Sequence, residues 1–422
     1  KAFAAPGAHT VRLIVWNAAG AADTAQAVLR VNAPPVARFE FTTPVIVNDT
    51  ITFSALGSSD NDQDSLFFDW DFGDGTGAQG VIVEKVYTSA GQYQVRLIVS
   101  DGRMADTMTQ TVDVWSGAFR SQQIAAYANH TCAIDLQNKA YCWGDNAYGQ
   151  LGDGTRTGRR QPTAVSTDLT FSQISAGESH TCALTPEGQA YCWGANTSGQ
   201  LGNGDTQHRY VPTLVSGDHI FDQIEAGRSY TCAVTRQPRQ AYCWGYNFWG
   251  QLGNGTITER SIPTPVAGDH TFIQITTGGY HTCAITSQHE AYCWGANTEG
   301  QLGTSAYQST PDRRVNGGYA FRQITTGGNH TCALTTEGKA YCWGWNFYNQ
   351  LGDGTNATRS VPTPVAGNYT FTQIVAGGSH TCAITTQNET YCWGRNNNGQ
   401  LGDDTVDNQS TPTPVKAVSV SG

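Results

Sequence analysis

Twelve cysteines fall in six pairs, and every pair lies inside a copy of one string, H-T-C-A-L-T-x-x-G-x-A-Y-C-W-G-x-N-x-x-G-Q-L-G. The first members are Cys132, Cys182, Cys232, Cys283, Cys332 and Cys382; the second are Cys142, Cys192, Cys243, Cys293, Cys342 and Cys392. A period of about 50 residues marks stacked units that bury their apolar faces only against neighbours. In the second copy, strands are expected at Phe171–Ser175, His180–Leu184, Ala190–Gly194 and around Pro212–Val215. Gly177, Gly188, the Gly199–Gly202 turn and Asn203-Gly204 separate them. No segment carries a helical period. Four short strands per unit predict a β-propeller, since a β-solenoid ordinarily repeats over fewer residues.

Within a copy the cysteines stand ten apart, or eleven in the third copy, which has an extra residue near Arg236-Gln-Pro-Arg-Gln. On adjacent antiparallel strands joined by a turn at Glu187-Gly188, Cys182 and Cys192 face one another at disulfide distance. Disulfides are therefore expected for Cys132–Cys142, Cys182–Cys192, Cys232–Cys243, Cys283–Cys293, Cys332–Cys342 and Cys382–Cys392. A metal reading would add His130, His180, His281, His330 and His380, but the third copy has Tyr230 there, and three ligands with one dispensable make a poor zinc site. Strict pairing also argues against free thiols. Disulfides place the chain in an oxidising compartment, at the cell surface or secreted.

The segments Cys182-Ala-Leu-Thr, Ala190-Tyr-Cys-Trp-Gly, Asn196 and Gly199-Gln-Leu-Gly, with their five counterparts, resemble the regulator of chromosome condensation repeat family over about 300 residues. The resemblance implies a ring closed by strands from both ends of the array. Members usually have seven blades. Six copies, ending on the strand at Pro412-Thr-Pro-Val, predict six blades here. The oxidising compartment argues against the nuclear exchange-factor role known in part of that family.

Residues 35–115 alternate apolar and polar in short runs such as Ile51-Thr-Phe-Ser and Val95-Arg-Leu-Ile-Val, which predicts an immunoglobulin-like β-sandwich. Trp70-Asp-Phe-Gly-Asp-Gly-Thr, followed by Tyr87 and Gly91, is similar to the polycystic-kidney-disease (PKD) domain. Residues 1–34 match the end of that domain at an offset of 84: Val11-Arg-Leu-Ile-Val repeats Val95-Arg-Leu-Ile-Val. They read as the last strands of a preceding sandwich, either cut from a longer chain that begins before Lys1 or completing a partner's sheet. The expected division is 1–34 (strand remnant), 35–115 (sandwich) and 116–422 (propeller), in an all-β chain.

The formal charge of −10 argues against a nucleic-acid groove, and no apolar run approaches the roughly 20 residues of a spanning helix. No catalytic triad, HExxH or phosphate loop is present, so no enzyme is expected. The repeated histidines read as structural hydrogen-bonding groups. The repeated Trp143, Trp193, Trp244, Trp294, Trp343 and Trp393 read as packing between blades.

The informative positions are those at which the copies differ. Around the Asn after each Trp-Gly, the third copy carries Tyr246, Phe248 and Trp249, and the fifth carries Trp345, Phe347 and Tyr348. The first carries Tyr148, and the remaining copies are small or polar there. Equivalent loops emerge on one face, so these aromatics are candidates to bind a protein or glycan, against the plainer reading that they fill gaps between loops. Asp60, Asp62 and Asp64 alternate as calcium ligands do, which makes calcium the one cofactor considered. The overall expectation is a non-catalytic adhesion protein at a cell surface. Alternatives are a self-associating filament or surface-layer subunit, and an accessory or inhibitory module of an extracellular enzyme.

Overall fold

A computed structural model describes residues 6–42, 45–114, 119 and 121–416. Lys1 with the opening of the first strand string, and the 115/116 boundary, lie outside the described residues. The chain separates into two compact units, Lys1–Phe119 and Arg120–Gly422.

In the first unit, strands Gly7–Trp16 and Ala22–Val31 form an antiparallel hairpin in the register of Gly91–Ser100 with Ala105–Val114. The sequence match thus extends to pairing, but burial differs. Val95, Leu97 and Val99 are fully buried, whereas Val11, Leu13 and Val15 are 38%, 61% and 57% exposed. Two strands cannot cover their own apolar face. The sandwich packs one sheet (Glu40–Phe41, Ile51–Ser54, Ile82–Lys85) on another (Gly77–Gln79, Phe67–Asp71, Gly91–Ser100, Ala105–Val114). Trp70, Phe72, Phe53 and Tyr87 fill its core, and the Tyr87 hydroxyl donates to the Phe72 carbonyl at 3.0 Å.

The second unit holds six sheets, one per copy, here blades 1 to 6. Blade 2 is Gln173–Ala176, His180–Leu184, Ala190–Gly194 and Arg209–Leu214, so its first strand starts two residues later than expected. Blade 4 has three strands. Its last segment makes only isolated bridges, Gly295 to Gln308 and Tyr292 to Arg314. Where blade 3 pairs Gly245 with Arg260 and Tyr242 with Pro265, blade 4 must span one residue more, and the ladder does not continue through it.

The recurring string is explained by one contact made between successive blades. Between blades 1 and 2, the Trp193 indole donates to the Gln150 carbonyl at 2.9 Å. The Thr181 hydroxyl donates to the same carbonyl at 2.8 Å and lies 2.9 Å from His130 Nε2. Leu151 is buried in the seam, and Gly152, at φ +70°, has no room for a Cβ against the Trp193 ring. Asn146 holds the loop in place: its Oδ1 accepts the Leu151 amide at 3.0 Å, and its Nδ2 donates to the Thr155 and Thr157 carbonyls. Each pair of successive blades shares an apolar cluster of this kind, giving five seams.

No such cluster among the described residues joins blade 6 to blade 1, and the two ends of the array expected to close the ring, at 115–118, 120 and 417–422, lie outside the described residues. Each terminal sheet is built from consecutive strands of its own copy. Ile124 of blade 1 is 64% exposed, whereas its counterparts Ile174, Ile224, Ile275, Ile324 and Ile374 are buried. Trp143 is likewise half-buried, whereas Trp193, Trp244, Trp294, Trp343 and Trp393 are fully buried.

Candidate functional site

All six expected disulfides are present, with Cα–Cα distances of 4.1 Å in every pair. The facing residues, such as Cys182 and Cys192, are register partners, and Gly188 at φ +93° forms the intervening turn. The histidines are structural. His130, His180, His281 and His330 each place Nε2 2.9–3.0 Å from a threonine hydroxyl of the next blade. That hydroxyl already donates to a carbonyl, so the imidazole donates from Nε2 and its Nδ1 is left without a partner. Burial pushes His130 down to about 4 and His180, His281 and His330 to about 3, so all four are neutral. In blade 3, Tyr230 spans the same seam by donating to the His281 carbonyl at 2.6 Å.

The variable aromatics lie on loops whose backbone is held from below. The Tyr246, Trp345 and Arg395 amides bond the carbonyls of Ser229, Asn329 and Ser379, which places these loops beside the turns between the first two strands of each blade. Trp345 stacks with Phe347, centroids 6.2 Å apart at 10°, and meets Tyr348 edge-on at 5.3 Å. Arg395 of blade 6 lies 5.1 Å over the Tyr348 ring. Phe248 meets Trp249 edge-on at 5.3 Å, Tyr246 faces Tyr280 at 6.2 Å, and Tyr148 meets His208 edge-on. No described ring contact joins the blade 3 set to the blade 5 set, so they form two patches, with Ala296, Thr298 and Glu299 at the corresponding positions of blade 4. Phe248 and Phe347 are 60% and 65% exposed, while Tyr246, Trp249, Trp345 and Tyr348 are half-buried. The halves thus divide the two sequence readings: some rings fill loop gaps, and others project.

Residues outside the expected set complete the face near the axis. The first strands of neighbouring blades pack on one another and line that axis. At the turns above them, Arg228 pairs with Glu178 at 3.1 Å, hydrogen-bonds the Tyr280 hydroxyl and lies 4.9 Å over the Tyr280 ring. Burial, followed by the charge of Glu178, pushes the Tyr127 hydroxyl up to about 12. Tyr127 stands where the later blades have Gly177, Gly227, Gly278, Gly327 and Gly377. At Gly177 a Cβ would strike the His180 ring. Comparing copies at these turns, as was done for the loop after Trp-Gly, would have found Tyr127, Glu178, Arg228 and Tyr280. Deeper along the axis, burial pushes Glu225 up to about 7 beside Gln223 and Ser175.

Asp60, Asp62 and Asp64 do not converge. Asp62 accepts the Ala33 amide at 2.5 Å, Asp60 accepts the Asp62 amide at 2.7 Å, and Asp64 is exposed. Among the described residues no group of three or more His, Cys, Asp or Glu side chains is placed to hold a metal ion.

The architecture defines a repeat β-propeller protein with a sandwich domain in front. Residues 137–184, 187–234, 240–285, 288–334, 337–384 and 387–421 match the regulator of chromosome condensation (RCC1) repeat, and residues 32–115 match the PKD domain. The chain belongs to the RCC1 repeat family. Its propeller resembles that of human WBSCR16 (TM-score 0.65, 24% identity, 84% of this chain and 94% of that one). It also resembles yeast RCC1 (Prp20), solved bound to Kap60 (TM-score 0.63, 22% identity, 71% and 75%). These likenesses concern the fold. Over 73 residues the chain is 34% identical to collagenase ColA of Clostridium perfringens, a match covering 17% of this chain and 7% of the collagenase.

Proposed function

We propose that this chain is a secreted or cell-surface binding and adhesion protein, without catalysis of its own, whose loop face binds a protein or glycan. The observation that carries the reading is the blade 5–6 patch. There Trp345, Phe347 and Tyr348 form a rigid aromatic group under Arg395, with Phe347 65% exposed on a loop pinned by the buried Asn346. Aromatic and arginine side chains on a pre-ordered backbone are the groups that dominate binding energy, because little conformational freedom is lost when they are covered. The six disulfides, the PKD domain and the partial identity to a collagenase support an extracellular setting. That yeast RCC1 was solved with Kap60 supports a protein ligand over a glycan.

The test is a pull-down and a glycan array with the whole chain, then with Phe347→Ala and Trp345→Ala. Capture lost in the variants at unchanged melting temperature supports the reading; retained capture of the same ligand refutes it.

A second reading, a self-associating subunit, is favoured by the apolar face of the hairpin, where Val11, Leu13 and Val15 are 38–61% exposed. Sedimentation across a concentration series separates the two: assembly abolished by Leu13→Asp would favour the subunit.

A further inference from the structure

We propose that Arg395 makes the blade 5–6 patch a reader of acidic polypeptide: the occupant is a segment of a partner protein that sets an Asp or Glu carboxylate beside an apolar side chain. The proposal rests on the reading of this patch as a binding site and names what fills it.

The guanidinium of Arg395 is held but not satisfied. Its Nε donates to Asn397 Oδ1 at 2.7 Å, and its plane lies 5.1 Å over the Tyr348 ring. These two contacts fix its orientation and leave both Nη groups without a partner among the described residues. The backbone is fixed as well. The Arg395 amide donates to the Ser379 carbonyl at 3.0 Å, and the buried Asn396 bonds the Leu401 amide, Asp403 and Thr405. A planar fork ordered before binding loses little freedom on meeting a carboxylate, which it takes with two parallel bonds.

Other arginines of the propeller have their anion. Six pair with an Asp or Glu, among them Arg228 with Glu178 and Arg359 with Asp353. Arg228 is the instructive counterpart, since it also lies over a tyrosine, at 4.9 Å. Its anion, Glu178, stands on the turn between the first two strands of blade 2. Gly328 and Gly378 occupy that position in blades 5 and 6, so the same turns offer Arg395 no carboxylate. Asp353 is taken by Arg359, and Asp403 by Asn396, Thr405 and Gln409. Residues 1–5, 43–44, 115–118, 120 and 417–422, outside the described set, contain no Asp or Glu. In a chain of formal charge −10, the anion that completes this site comes from the partner.

The apolar half adjoins the charge. Tyr348 is the shared ring: Arg395 covers its face, and Phe347, 65% exposed, meets it at 5.1 Å and 83°. An extended segment sets side chains i and i+2 about 7 Å apart on one face, so one meets the guanidinium while the other covers Phe347. A bare phosphate would fill the fork and leave Phe347 uncovered.

The probe is a phage-displayed library of random linear peptides selected on the whole chain. The informative clones are those whose capture falls with Phe347→Ala, because they sit on the patch. In these clones an Asp or Glu within two residues of an apolar residue is expected to be enriched. Their capture should weaken as salt is raised and fall by about tenfold or more with Arg395→Gln, at unchanged melting temperature. Arg395→Lys, which keeps the charge and loses the fork, should cost less than Arg395→Gln. Clones that depend on Phe347 yet hold their capture with Arg395→Gln, or that are enriched in Lys and Arg, overturn the proposal and leave the patch a binding site. A library with no clone dependent on Phe347 removes the site itself, and the proposal with it. Uronic-acid or sulfated glycans bound in place of peptides, and lost with Arg395→Gln, overturn the choice of a polypeptide.

Discussion

Replacing Thr231 by valine isolates the seam contact that the repeats share. The side chain keeps its shape and loses its hydroxyl, which donates to the Gln200 carbonyl at 2.8 Å and accepts from His180 Nε2 at 2.9 Å. The two partners fare differently. Gln200 keeps its second donor, the Trp244 indole at 2.9 Å, so this half costs about 0.5–1.5 kcal/mol. The His180 N–H, with no exposure to water, is left with no acceptor, at a cost of about 1–3 kcal/mol. The total is about 1.5–4.5 kcal/mol. Thr231→Ser keeps both bonds and loses one methyl, about 1 kcal/mol. The structure supplies an internal control. Thr131 occupies the same place in the same motif but is half-buried and makes no side-chain hydrogen bond among the described residues, so Thr131→Val should change stability by less than about 0.5 kcal/mol. The assay is reversible denaturant unfolding of each variant with the disulfides intact. If Thr231→Val and Thr131→Val proved equal, or if Thr231→Ser were the worst of the three, the seam would not be held as described.

Acid should loosen the propeller. His130, His180, His281 and His330 are held neutral, at about 3–4 against about 6.5 unfolded, so their contribution is intact above pH 6.5 and fades as pH falls below it. Each can cost up to about 1.4 kcal/mol per pH unit, and Glu225, raised to about 7, opposes them by one such increment between about pH 7 and 4.5. The denaturation midpoint is expected to fall between pH 7 and 5; a midpoint that rose would contradict this assignment of charge. Limited reductant should open Cys382–Cys392 before the five sealed pairs, since Cys382 alone is half-exposed; mass mapping of alkylated thiols would show a different order if exposure does not govern access. Removing a sealed pair, with Cys182→Ala and Cys192→Ala together, should cost about 1–3 kcal/mol, given a loop of only ten residues and the small cavity left behind; unfolding of the whole propeller would mean the disulfides carry more than local stability.

Much of the propeller was legible because the repeat is written six times in a chain that makes the same contact at each writing. The cysteine spacing gave the hairpin register, and the glycine between the pair gave its turn. The Trp-Gly-x-Asn and Gly-Gln-Leu-Gly strings read as recurring, but not as two halves of one seam, because the Trp193 indole and the Gln150 carbonyl are 43 residues apart and meet only when two blades stack. Tyr127, Glu178, Arg228 and Tyr280 were hidden for the same reason. They belong to different copies, and only the convergence of turns about the axis makes them one cluster.

The sequence by itself determined the unit: its strands, its turns, its disulfides and the apolar faces that oblige it to stack. Those are local properties, set by side-chain period and by backbone torsions within about 50 residues. Only the tertiary structure decided what happens where stacking stops. A seam needs two faces, and among the described residues six copies make five apolar seams, which leaves Ile124 64% exposed while its five counterparts are buried.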